Sequence, residues 1–101
     1  MAVCNQFRIK NLPRSRYSRE QVWDIIYSKA KVISKSEDSI RIRYRWGLNM
    51  AKEWEVFLEY KRDTFDIVME NNDRPWSTYG CVGCWGGREF LTKIEKEIRS
   101  I

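Results

Sequence analysis

Polar and apolar residues alternate from Asn5 to Leu12, with Phe7 and Ile9 on one side and Gln6, Arg8 and Lys10 on the other. That is the period of a strand with one buried face, and Pro13 stops it. A helix is then predicted from Ser18, which caps the first amides, with Gln21 three residues on completing a capping box and Tyr17 placed to staple against Val22. Val22, Ile25, Ile26 and Ala30 recur at helical spacing, and Trp23 and Tyr27 widen the stripe.

Lys31 to Ser36 reads as a short strand, and Ser36, Glu37 and Asp38 turn it. Ser39 to Trp46 follows with Ile40, Ile42, Tyr44 and Trp46 on one face and Arg41, Arg43 and Arg45 on the other. After a loop from Gly47 to Lys52, the residues Trp54, Val56, Leu58 and Tyr60 repeat the alternation. Matching apolar faces predicts Trp46 beside Trp54, Tyr44 beside Val56 and Ile42 beside Leu58. Arg62 and Asp63 suit a two-residue turn that sets Tyr60 opposite Phe65, Leu58 opposite Ile67 and Val56 opposite Met69.

From Asn71 to Gly87 the periodicity breaks over 17 residues that include four glycines and one proline, which predicts a long loop. From Arg88 a helix resumes, with Phe90, Leu91, Ile94, Ile98 and Ile101 on one face and Glu89, Lys93 and Glu97 spaced for surface ion pairs. The whole is expected to be one α+β domain over residues 1–101, a two-layer sandwich in the order β-α-β-β-β-β-α, with both helices on one face of an antiparallel sheet. Strand order is left open by the pattern, and there are no repeats.

Composition narrows the function classes. A chain of 101 residues with 43% hydrophobic and 14% aromatic content can build one core. Its apolar runs are a few residues long, far below the roughly 20 of a membrane span, and no leader pattern is visible. An intracellular, cytoplasmic protein with no membrane partner is therefore expected. The absence of histidine removes the commonest general acid/base and zinc ligand and lowers the case for an enzyme. No cofactor is expected. Ten isoleucines against two glutamines, with 33% charged residues, are compatible with a thermophilic source.

The net charge of +5 is concentrated: residues 1–19 carry Arg8, Lys10, Arg14, Arg16 and Arg19 and no acid, whereas basic and acidic residues balance from Glu20 onward. This basic segment straddles the turn into a capped helix, whose amides and dipole also favour an anion. With Tyr17 to stack on an unpaired base, it forms the leading candidate site, for nucleic-acid phosphate. The plainer reading is a solvated basic loop. The arginine stripe at 41, 43 and 45 is expected to spend its charge across the strand pair, with Arg45 facing Glu55, Arg41 facing Glu59 and Phe57 opposite Arg43.

Two further sites compete. Trp76, Tyr79 and Trp85 in the predicted loop, together with the outer sheet face around Phe57 and Val68, would serve a protein partner. That partner could be a second copy in a homodimer or the target of a small inhibitor, and small size with no catalytic set would also suit a viral or mobile-element protein. Cys81 and Cys84 form a Cys-x-x-Cys, with Cys4 as the third thiol. Zinc needs four ligands and histidine is absent, so a metal site is a weak expectation. A redox pair is also disfavoured, because Trp85, Gly86 and Gly87 are expected to separate the cysteines from the helix start. Small, partly buried residues in a tight loop, or a pair forming one structural bridge, are the plainer alternative.

Overall fold

A computed structural model of the chain describes residues 6–45, 51–70 and 80–101, with side chains described at 6–44, 53–70 and 87–101. The elements are β1 (Gln6–Pro13), α1 (Arg19–Lys29), β2 (Lys31–Lys35), β3 (Ser39–Arg45), β4 (Ala51–Tyr60), β5 (Thr64–Glu70) and α2 (Gly80–Arg99). They form an α+β domain in the predicted order. The sheet has five antiparallel strands ordered β1-β5-β4-β3-β2. A meander of β2 to β5 thus has β1 added beside β5, and α1 carries the chain from one edge of the sheet to the other.

The alternation seen in the sequence produces the core. Ile9, Ile40, Ile42, Trp54, Val56, Phe65, Ile67 and Met69 line the inner face and meet Val22, Trp23 and Ile26 of α1 and Phe90, Leu91, Ile94 and Ile98 of α2. Ile101, predicted on the same apolar face, is exposed, because α2 has ended at Arg99. Glu89 pairs with Lys93 as its spacing predicts, while Glu97 instead reaches Lys29 of α1 at 2.9 Å.

The start of α1 is specified locally. Ser18 Oγ accepts the Gln21 amide at 3.2 Å and Gln21 Oε1 accepts the Ser18 amide at 2.9 Å, while Tyr17 and Val22 are both buried. Replacing Ser18 by alanine is expected to cost about 1 kcal/mol in urea denaturation; an unchanged midpoint would show that the cap contributes nothing.

Three expectations need correction. The β3–β4 register is displaced by four residues from the one predicted: Ile42 lies opposite Trp54, Ile40 opposite Val56 and Tyr44 opposite Lys52. An even displacement preserves the apolar alternation, so the pattern cannot distinguish the two registers. The observed one carries β4 back to Ala51, turning residues predicted as loop into hydrogen-bonded strand. It also sets Arg41 opposite Glu55 and Arg43 opposite Glu53, with Ser39 in place of an arginine opposite Phe57. Trp46 lies outside the described residues. The β4–β5 register agrees with the prediction, and Lys61 N–H to Thr64 O at 2.8 Å closes the two-residue turn.

The second correction concerns α2, which begins at Gly80, so residues 80–87 are helical and not loop. Glycines are poor helix formers, which hides this turn from the pattern. At Gly87 the absence of a side chain has a packing reason: a methyl group there would lie 2.7 Å from Phe7 Cε2 and 2.9 Å from Trp54 Cη2. The third is Tyr60, which lies on the predicted side, opposite Phe65, but at the end of β4 is 44% exposed and not buried.

Candidate functional site

Strand order decides what surrounds the basic segment. Pro13 at the end of β1 pairs with Thr64 at the start of β5, so the connection into α1 lies against the β4–β5 turn. The Arg14 N–H donates to Asp63 O at 3.0 Å and ties the two together. The β2–β3 turn joins the same end of the sheet through Arg19, which donates to Glu37 O at 3.2 Å.

The three arginines of this end are held in one manner. Arg14 donates to Lys61 O at 2.8 Å and stands over the Tyr60 ring, 4.8 Å from its centre. Arg16 donates to the backbone oxygen of Ile101 at 3.0 Å and stands 5.5 Å over the Tyr17 ring. Arg19 sits beside the Tyr60 hydroxyl, which favours its charged form and raises its pKa, with smaller help from Asp38 and Glu20. Among the described residues none of the three makes a salt bridge to a side-chain carboxylate. The peptide oxygens that hold Arg14 and Arg19, with the Tyr60 ring under Arg14, restrain these two guanidinium groups without cancelling their charge.

Arg8 and Lys61 have the opposite arrangement. Arg8 reaches Glu59 at 3.1 Å and Asp66 at 3.0 Å, and Lys61 reaches Asp66 at 3.1 Å. Glu59 and Asp66 also raise the Arg8 pKa by accepting its hydrogen bonds. Arg8 is therefore part of the folded framework, bracing the outer face of β1 to β4 and β5. Lys10 is exposed and makes no ion pair among the described residues.

Asp66 is the one buried charged residue among those described. It also receives the Asn11 amide at 3.0 Å, where Asn11 takes the left-handed φ of 60° in a bulge between Ile9 and Leu12. Burial pushes its carboxyl pKa up, but the Asn11 amide, the Lys61 ammonium and the Arg8 guanidinium outweigh this and hold it below the ordinary value.

Two parts of the predicted site change. Tyr17 is only 5% exposed, so its ring belongs to the core and is not available to stack on a base. The first amides of α1, invoked for an anion, are engaged by the capping box, and Glu20 adds an acid to the first turn. What the sequence missed is Tyr60 together with the exposed Arg62. Both belong to the end of the β4–β5 hairpin, and only the adjacency of β1 and β5 brings them beside Arg14. The pairing of Pro13 with Thr64 has no signature in the hydrophobic pattern.

The other candidates are placed as follows. Trp76, Tyr79 and Cys4 lie outside the described residues. Trp85, Cys81 and Cys84 fall within α2, the two cysteines in its first turns, so the separation from the helix start that disfavoured a redox pair does not exist. On the outer face Val68 is 0% exposed and Phe57 half-buried, which removes the apolar patch expected there. Arg41 reaches Glu53 at 3.5 Å, its diagonal neighbour, in place of the expected Glu59. An open cavity of about 210 Å³ lined by Ser34, Ser36, Ser39, Arg41 and Glu55 lies beside the β2–β3 turn. Among the described residues no group of three or more metal-ligating side chains occurs, and no helix is long and apolar enough to cross a membrane. Comparisons with family models, curated proteins and solved structures find no match for the chain.

Proposed function

We propose that this chain is a non-enzymatic nucleic-acid-binding protein that holds phosphates at the end of its sheet with Arg14, Arg16 and Arg19. One observation carries the reading: the Arg14 and Arg19 guanidinium groups are oriented by peptide oxygens, and Arg14 also by the Tyr60 ring, so their geometry is set while their charge remains available. A phosphate oxygen accepts the forked hydrogen bonds that a guanidinium offers, and the ordering cost has largely been met before the ligand arrives. Arg62, whose backbone oxygen lies 3.5 Å from the Arg14 guanidinium, adds positive charge nearby, whereas Arg8 contributes to the framework. Glu20, Asp38 and Asp63 border the site and limit it to modest affinity.

Fluorescence anisotropy with labelled single- and double-stranded DNA and RNA, at about 50 and 200 mM salt, tests the proposal. Three phosphate contacts predict a loss of affinity of about fortyfold across that range for duplex DNA and about twentyfold for single strands. Replacing Arg14, Arg16 and Arg19 together by glutamine should weaken binding and flatten the salt slope, while Lys31→Gln at the opposite end of the sheet should do neither. No binding at the lower salt, or equal binding by the triple variant, overturns the proposal.

A further inference from the structure

The arginine cluster surrounds an aromatic ring that core packing does not require to be outside. Tyr60 is the last residue of β4 and pairs across the ladder with Phe65, which is fully buried, yet Tyr60 itself is 44% exposed. Its ring leans on Phe65 at 5.8 Å between centres with an interplanar angle of 47°, so one side is supported by the core. Arg14 stands over the ring at 4.8 Å, and Arg19 sits by its hydroxyl. With Phe65 against one side of the ring and Arg14 over it, what is offered to a base is the guanidinium backed by the ring, and unpaired bases stack on arginine as they do on aromatic side chains while their phosphates are bound alongside.

We infer that Tyr60, with the guanidinium of Arg14 above it, is a stacking platform for an unpaired nucleobase, so that single strands are preferred over duplexes. This rests on the phosphate-binding reading above and extends it from the backbone to the base. The interaction is with the π-face common to all bases, so no sequence preference is expected. A duplex keeps its bases stacked on each other and can present only its phosphates to the same arginines. Tyr60 thereby takes the place that Tyr17, sealed in the core, cannot fill.

The test uses three labelled probes of equal length at about 50 mM salt: oligothymidylate, the same backbone with abasic sites, and a DNA duplex. The full chain is expected to bind oligothymidylate about tenfold more tightly than the abasic strand, the size of one base stacked on an aromatic ring. Tyr60→Ala should abolish that difference; because the ring also orients Arg14, some loss is expected on all three probes, with the loss on oligothymidylate about tenfold the larger, and Tyr60→Phe should retain the difference, since the ring and not the hydroxyl carries the stack. Unchanged circular dichroism of Tyr60→Ala shows that folding is intact, as its exposure predicts. Equal binding of oligothymidylate and the abasic strand by the unaltered chain, or an equal loss on all three probes in Tyr60→Ala, overturns the platform and leaves the phosphate site standing. Failure of every probe to bind overturns both.

Discussion

Gly87→Val is expected to destabilise the domain by about 2–3 kcal/mol, lowering its melting temperature by on the order of 10–20 °C. The first atom added at this position already falls 2.7 Å from Phe7 Cε2 and 2.9 Å from Trp54 Cη2. Phe7 is half-buried and can give way, but Trp54 is 1% exposed and meets Phe7 edge-on at 5.7 Å, so displacing one ring disturbs the other. Gly87→Ala should cost less, because a helix gains about 1 kcal/mol from alanine over glycine and this offsets part of the clash. Combining Gly87→Ala with Phe7→Leu removes the nearest ring atoms and should destabilise by less than the two changes added separately. Denaturation midpoints of the four proteins check this; wild-type stability of Gly87→Val would mean that α2 does not approach the sheet this closely.

Asp66→Ala is expected to cost about 3 kcal/mol at neutral pH. It leaves the Asn11 amide without its acceptor, loosens a bulge whose left-handed residue depends on that bond, and releases Arg8 and Lys61 from their shared partner. The contribution also depends on pH in a definite direction. The folded-state pKa of Asp66 lies below the ordinary 3.8, so the unfolded chain takes up the proton first as pH falls. Stability from this group is therefore complete above the ordinary value and is lost as pH drops through the folded-state value. Asp66→Asn should be less stable than wild type at pH 7 and lose less on acidification, so that the two curves converge at low pH. A constant gap between them from pH 7 to pH 2 would remove the carboxylate from this role.

Much of the fold follows from local chemistry. The alternation in β1, β3, β4 and β5, the helical stripes of α1 and α2, the Ser18 cap and the Arg62-Asp63 turn are each set by residues within a few positions of one another. Side-chain period and cap chemistry act at that range. For the same reason the predictions fail where two distant segments must agree. The β3–β4 register is invisible to a pattern that any displacement by two repeats, and the start of α2 is hidden by glycines, of which Gly87 answers to the distant rings of Phe7 and Trp54.

The candidate site divides along the same line. Charge segregation in residues 1–19 is readable without coordinates and singles out Arg14, Arg16 and Arg19. It also nominates Arg8 and Tyr17, which local chemistry cannot separate from their neighbours. The ion pairs that occupy Arg8 come from Glu59 and Asp66 on two other strands, and the ring of Tyr17 is covered only once α1 packs on the sheet.

The sequence by itself determined the α+β class, the buried faces of β1, β3, β4 and β5 and the location of the excess charge, because periodicity and composition are properties of neighbouring residues. The tertiary structure alone decided that β1 lies beside β5, and hence which cations are cancelled and that Tyr60 stands exposed among those that are not. Strand order is a choice among pairings that bury similar apolar faces, and long-range packing selects between them.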